Sequence, residues 1–386
     1  MNVEQILEKL IAFPVLGGES NLEIIHWIKS YIEKHGIKPT LVPNKTNTKA
    51  SLHCRIGPEI DGGTILSGHT DVVPVKGQNW DTDPFKLTDK GDGKLYGRGT
   101  CDMKGFLACC LAALPAMTKT NLKTPIYLAF SYDEEIGCLA APELIKHIQS
   151  TYSEKPKYAI IGEPSMLQPI IGQKSMHILD ITVNGSAGHS SRIKQEVSAV
   201  HEAAKLVLWA EQKMTDLIAS GNIDNRFNPP HSSLHIGKIS GGIAANIIAD
   251  KATLSMDIRT IPQDNSFNIF QDFITHCKNR ENALRTIYPD FEIKIKENHP
   301  IVPALNTNTH TEIVSLIAKL TGSQKWSTVS YASEAGQFAQ AGFQSIICGP
   351  GSIKQAHRAN EFITKKQLQK GVAMIQSLIN HSKISN

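Results

Sequence analysis

Seven residues between positions 69 and 357 share a chemistry. His69, Asp71, Asp102, Glu134, Glu135, Glu163 and His357 lie in five short polar segments: SGHTDVVP at 67–74, YGRGTCDMKG at 96–105, SYDEEIG at 131–137, GEP at 162–164 and GPGSIKQAHR at 349–358. Two imidazoles and three carboxylates suit Zn²⁺, which accepts nitrogen and oxygen ligands and in catalytic sites keeps a position for water. The donors are then His69, Asp102, Glu163, His357 and one of the adjacent pair Glu134 and Glu135. The other glutamate stays free as general base and proton shuttle. A carboxylate can turn one oxygen to each of two metals, and two-metal sites hold their ions about 3.5–4 Å apart. Bound zinc lowers the pKa of water from ~15.7 to about 7, so hydroxide is available near neutrality. Asp71, two residues beyond His69, is placed to orient that imidazole.

Singly, each segment has an ordinary reading. His-x-Asp in a loop is usually a surface pair, Asp-Glu-Glu a solvated turn, Gly-Glu-Pro a turn, Asp102 a helix N-cap, and His357 a loop histidine. What favours one shared site is position. The runs Thr64–Leu66, Ile126–Phe130, Tyr158–Ile161 and Ser345–Cys348 read as buried strands, and the polar residues follow at their carboxyl ends. In open α/β sheets ligands bind at that edge. The fifth segment precedes a helical run at 103–114.

These strands alternate with helical stretches, beginning with the Ile, Leu and Trp spacing at 4–13 and 22–35. The alternation predicts an α/β domain with a mostly parallel sheet flanked by helices. From 176 to 296 the order becomes strand 177–184, helix 197–214, strand 232–240, strand 245–260, helix 266–282, strand 291–296. This βαββαβ order predicts a ferredoxin-like α+β domain inserted into the first. The domains expected are therefore 1–175 with 297–386, and 176–296. GNIDNRFNPPH near 220–231 is read as a loop within the insert.

At 386 residues and 41% hydrophobic composition, two filled cores are expected. Net charge is +4 from 40 basic and 36 acidic residues, and no run of Lys or Arg exceeds Lys365-Lys366. That balance argues against nucleic acid and anionic membrane as partners. MNVEQILEKL carries Glu4, Glu8 and Lys9 within its apolar pattern, so no secretory signal is expected, and no run of about eighteen apolar residues predicts a membrane span. Seven cysteines without a CxxC pair point to reduced thiols in a cytoplasmic enzyme.

Taken together, SGHTDVVPV, LYGRGTCDMKG, SYDEEIG, GEP and CGPGSIKQAHRANE resemble the dinuclear zinc aminoacylase and carboxypeptidase family, and the likeness extends over nearly the whole chain. GQNWDTDPFKLT with GKLYGRGTCDMKGFLA is similar to the branch that deacetylates an amino acid with a basic side chain. The resemblance implies a metal-dependent amidohydrolase with a small N-acyl amino acid as substrate and two Zn²⁺, for which Co²⁺ can substitute. It implies that Asp102 bridges, that His69 and Glu163 hold one zinc and Glu135 and His357 the other, and that Glu134 is the base. It makes the inserted domain a lid and homodimer interface, with His189 in NGSAGHSSR as the lid histidine that stabilises the oxyanion. Asn246 in GGIAANIIAD and Arg259 in MDIRTIP match positions that bind the substrate's polar groups and carboxylate. Gly188 stands where relatives commonly have Ala, which adds backbone freedom before His189. Cys101 and Cys138 flank the metal motifs as packing residues. A basic substrate side chain needs an acidic counterpart, for which Glu334 in SYASEAGQF is the candidate. A desuccinylase, a broader aminoacylase or dipeptidase, and a silent metal-binding scaffold remain alternatives; the complete set of ligands and base weighs against the last.

Overall fold

The computed structural model describes residues 1–384. The chain divides into two compact units, one formed by residues 1–172, 305–328 and 333–386 and the other by 173–304 and 329–332.

The larger unit opens with α1 (Val3–Ile11), whose first turn is closed by a capping box between Asn2 and Gln5, and α2 (Leu22–Glu33). The strands β1 (Thr40–Pro43), β2 (Ala50–Ile56), β3 (Thr64–His69), β4 (Ile126–Ser131), β5 (Tyr158–Pro164), β6 (Ile170–Gln173), β7 (Leu305–Asn306) and β8 (Gln344–Gly349) form one sheet in the order β1-β2-β4-β3-β5-β8-β6-β7. Its centre, β4-β3-β5-β8, is parallel; β1, β2 and β6 pair antiparallel at its margins. The central strands are buried almost throughout, as strands covered on both faces must be, which is why they read as unbroken apolar runs. Parallel pairing brings all four carboxyl ends to one edge. Helices α3 (Lys104–Lys119), α4 (Ala141–Thr151), α5 (Glu312–Thr321), α6 (Ala335–Gln340) and α7 (Lys365–His381) complete the unit.

Helix α3 packs between α1 and α7 and is buried from Lys104 to Leu111 without a break. It continues past the expected end and through Pro115, because Leu114 and Met117 on the following turn are also buried. Their apolar burial outweighs the missing amide donor of proline. A small sheet of Thr88–Asp89, Lys94–Tyr96 and Phe362–Thr364, with no signal in the apolar pattern, ties the segment before Asp102 to the one after His357.

In the second unit the order is strand His177–Asn184, helix Ala199–Ala219, strand Ser233–Gly241, strand Lys251–Arg259, helix Ser266–Leu284, strand Glu292–Glu297. The sheet is antiparallel, with His177–Asn184 and Lys251–Arg259 inside and Ser233–Gly241 at one edge. Its core holds Leu179, Ile181, Val183, Leu254, Met256, Phe273 and Phe291. The single strand expected over 245–260 is broken before Lys251: Ile247–Ile248 instead pair with Gly188–His189 in a separate short ladder.

Candidate metal centre

The parallel edge delivers the expected donors to one place. His69 is the last residue of β3 and Glu163 is the penultimate residue of β5. Glu134 and Glu135 follow β4 in a tight turn, Asp102 lies two residues before the start of α3, and His357 lies in the loop after β8. Asp102 sits between the imidazoles: Oδ1 is 3.3 Å from Nε2 of His69 and Oδ2 is 3.3 Å from Nε2 of His357. Glu135 Oε2 lies 3.1 Å from His357 Nε2, while Glu163 Oε1 and Glu134 Oε2 lie 3.8 and 4.0 Å from His69 Nε2. Ligand atoms of His69, Asp102 and Glu135 fall within 4.8 Å of one another, as do those of His69, Glu134 and Glu163. Glu134 therefore stands as near the centre as the carboxylates around it.

The carboxylates are too close and too dry all to remain charged without help, although His357 is exposed. Burial, then Glu163, drives the Glu134 carboxyl well above the carboxylate range; burial, then Asp102, does the same to Glu163. Burial and Asp102 raise Glu135 to about 7. Burial also acts on Asp102, but hydrogen bonds from His357 and His69 outweigh it and hold the carboxyl low. His357 is raised to about 10 by its bonds to Asp102 and Glu135; His69 is raised despite burial, by Asp102 and Asp71. A pair of divalent cations would neutralise such a cluster, and because an imidazolium cannot ligate, their binding would release protons. Glu135 Oε1 and Glu163 Oε1 are buried and accept no hydrogen bond. Buried acceptors without donors, beside two imidazoles, fit a pair of divalent cations.

The surroundings fix the donors in place. Asp71, 0% exposed, lies 3.5 Å from His69 Nδ1 through Oδ1 and also accepts from the backbone N–H of Glu134 at 3.3 Å and Glu135 at 3.2 Å. It orients one histidine and the glutamate turn together. His69 Nδ1 also meets the Asp71 carbonyl at 2.9 Å, which leaves Nε2 toward the centre. The Cys138 thiol donates to Glu134 Oε1 at 3.5 Å, and Cys101 donates to the Ser352 carbonyl at 3.2 Å; both are buried. Asp133, with Gly18 N–H on one oxygen at 2.9 Å and Lys49 on the other, anchors the same turn. Among residues the motif reading missed, Glu361 stands out. It lies at the end of the quoted AHRANE stretch and is fully buried against the backbone of Asp102. Nothing in its residue type or spacing distinguishes it from a surface glutamate.

One expected residue is elsewhere. Glu334, the candidate for meeting a basic substrate side chain, is 1% exposed, and both of its carboxylate oxygens are buried without a hydrogen-bond partner among the described residues. Burial lifts it to about 7. A side chain so enclosed weighs against contact with a substrate ammonium group.

The remaining candidates belong to the second unit. His189 is exposed, with Nδ1 2.8 Å from the Ser191 hydroxyl, and the Asn246 carbonyl accepts from Ser190 N–H at 3.1 Å, so the short ladder gathers His189 and Asn246. Arg259 is engaged through Nε by both oxygens of Asp257 at 2.9 and 3.1 Å. Gly188 does not use a left-handed conformation; a Cβ there would meet Glu196 Cγ at 2.9 Å, so close approach rather than freedom accounts for the glycine.

Comparison with known proteins bears on the family and the fold. The model of peptidase family M20/M25/M40 matches residues 65–381. An acetylornithine deacetylase of Pasteurella multocida (strain Pm70) is 32% identical over 390 residues, covering 97% of this chain and 96% of the relative. The fold matches an M20 family metallo-carboxypeptidase from Sulfolobus solfataricus with a TM-score of 0.78 at 18% identity, covering 98% of each chain. A dinuclear metal binding peptidase from the M20 family of Bacillus subtilis matches with a TM-score of 0.64 at 13% identity, covering 98% of this chain and 96% of that one.

Proposed function

The chain belongs to peptidase family M20/M25/M40 and is a metal-dependent hydrolase of amide bonds; from that premise we propose that it converts N2-acetyl-L-ornithine and water to L-ornithine and acetate, a step of arginine synthesis, with two zinc ions. The observation that carries the chemistry is Asp102 with one oxygen toward each of two imidazoles and Glu134 at the same centre. The substrate rests on the identity with the Pasteurella enzyme over nearly all of both chains.

His69 and Glu163 would hold one ion, Glu135 and His357 the other, and Asp102 both. When bound, such a pair acidifies water and polarises an acyl carbonyl. Glu134 accepts the proton of the attacking water at Oε2, the oxygen that faces His69, while Cys138 holds Oε1. The water oxygen bonds to the acetyl carbon, the C–N bond breaks, and Glu134 returns the proton to the leaving nitrogen. In the second unit we assign His189 as a donor to the developing oxyanion and Asn246 to the substrate's polar groups. Arg259 binds the α-carboxylate: Asp257 engages its Nε, and the terminal amines supply the paired donors a carboxylate takes.

We also propose a homodimer through the second unit. Support comes from its edge strand Ser233–Gly241 and from exposed Ile239, Ile243, Ile247 and Leu208, apolar surface that a second copy would cover. No helix among the described residues is long and apolar enough to cross a membrane, and seven free buried cysteines suit a reducing cytoplasm.

The substrate is tested by a panel of acetyl, succinyl and formyl amino acids assayed with zinc-loaded protein. N2-acetylornithine is expected to give the highest kcat/KM. Preference for N-succinyl-diaminopimelate or for a dipeptide would transfer the reading to those substrates and leave the metal chemistry standing.

A further inference from the structure

Glu361 bonds to no side chain of the expected ligands, yet its carboxylate lies against the main chain that presents one of them. Its carboxylate is 0% exposed and takes four donors. Oε1 accepts from the backbone N–H of Cys101 at 2.8 Å and of Asp102 at 3.0 Å; Oε2 accepts from the N–H of Gly99 at 3.1 Å and from Arg98 Nη1 at 2.7 Å. Three of the four are amides of one turn, converging on a single carboxylate in the manner of an anion-binding nest. The turn ends at Asp102.

Glu361 also follows His357 by four residues in the same loop. The two segments are laced by further bonds: Arg98 Nη1 donates to the Arg358 carbonyl at 3.2 Å, Gly97 N–H to the Glu361 carbonyl at 3.0 Å, and Gln78 Nε2 to the His357 carbonyl at 2.9 Å. His357 itself adopts a left-handed backbone, φ 63°, a conformation that a non-glycine residue keeps only when its surroundings impose it.

We propose that Glu361 is the positioning residue of the metal centre: a buried carboxylate that sets the backbone of Asp102 and the loop of His357 in one register, so that Asp102 can face both imidazoles. The inference rests on the reading that this centre binds two divalent cations, and it adds a residue that binds neither metal nor substrate. The geometry separates two jobs. Oε1 serves the amides next to Asp102; Oε2 neutralises Arg98, whose guanidinium also bonds Gln78 Oε1 at 2.6 Å and lies over the Trp80 ring.

The test compares Glu361→Gln with Arg98→Gln in the full-length protein. Cobalt affinity is measured by competition with a chromogenic chelator, and thermal unfolding is followed on the metal-free form. Glu361→Gln puts an amide NH₂ where a carboxylate oxygen faced donors, and it is expected to weaken cobalt binding 10- to 100-fold, the usual cost of losing an outer partner of a ligand. Arg98→Gln removes the cation with its bonds to Glu361, Gln78 and the Arg358 carbonyl, and leaves the three backbone amides on Glu361. It is expected to lower the unfolding temperature while cobalt affinity stays within about 3-fold of wild type, and Glu361→Asp, which keeps the charge, is expected to recover part of the affinity lost in Glu361→Gln. Equal affinity of wild type and Glu361→Gln would overturn the proposal. Parallel losses of affinity and stability in both variants would also overturn it, reducing Glu361 to a structural clip. A wild-type protein that binds no cobalt would instead contradict the metal reading itself, so the two failures are distinct.

Discussion

In the proposed reading, neighbours rather than residue type divide the labour between two adjacent glutamates. Glu135 points Oε2 at His357, whereas Glu134 has Oε1 held by Cys138 and Oε2 facing His69. Glu134→Ala is expected to reduce kcat by roughly 10²–10⁴-fold with metal content, measured by plasma mass spectrometry, unchanged; activity near wild type would remove its role as base. Asp71→Asn keeps the shape but weakens the grip on His69 and on the glutamate turn, so metal affinity is expected to fall about 10- to 100-fold. Because Glu334 is enclosed, Glu334→Gln is expected to change KM for acetylornithine and for a neutral acetyl amino acid by the same factor, and a selective effect on acetylornithine would restore its contact with substrate. The candidate ligands were legible in the sequence because His69, Glu135, Glu163 and His357 each follow an apolar strand in a polar segment and Asp102 precedes a helical run. Glu361 was not, since its partners are backbone amides and Arg98 brought together only by the fold, nor was the burial of Glu334, because an acidic residue in a small-residue segment gives no sign of it.

Elements hold these residues by packing so tight that three strand ends carry glycine. A Cβ on Gly162 would lie 2.1 Å from the Phe106 ring of α3, one on Gly68 would lie 2.6 Å from Met103 Cε, and one on Gly349 would lie 1.9 Å from the Gly162 carbonyl oxygen. Gly162 immediately precedes Glu163, so Gly162→Ala is expected to cost about 1–3 kcal/mol as overpacking and to weaken metal binding as well, read by thermal melts with and without cobalt. Unchanged melts would show that α3 yields more easily than the geometry implies. Across β2 and α4, His53 meets His147 and Tyr152 at 2.8 Å each, and burial with the nearby His147 holds it at about 4. Between pH 4 and 6.5 the unfolded chain therefore binds a proton that the folded chain refuses, and stability falls as pH drops through that window. The contribution reaches roughly 3 kcal/mol. Urea unfolding at pH 7 and pH 5 should show a smaller loss for His53→Gln than for wild type, and equal losses would contradict the assignment. Strand and helix order was readable because apolar runs and helical spacing are local. The extension of α3 through Pro115, the break before Lys251 and the small sheet around Lys94–Tyr96 were not, because tertiary burial and pairing decide them.

At the scale of the whole molecule the proposed roles divide between the two units: the larger gathers the candidate metal donors at the edge of its sheet, while the second carries Arg259 on its antiparallel sheet and His189 and Asn246 at a separate short ladder. Ile243, 86% exposed, is the most exposed large apolar residue of the second unit. If a second copy covers this surface, Ile243→Asp is expected to shift the protein from dimer toward monomer in sedimentation, whereas a wild-type monomer would leave the apolar face unexplained. The central claim is that amide hydrolysis depends on two metal ions at the His69, Asp102, Glu135, Glu163 and His357 centre. It is tested most directly by stripping the protein of metal, adding zinc in measured equivalents and following release of ornithine from N2-acetylornithine. Turnover should be absent without metal, rise with added zinc and level off by two equivalents; full turnover of the stripped protein, or none at two bound equivalents, would contradict the account.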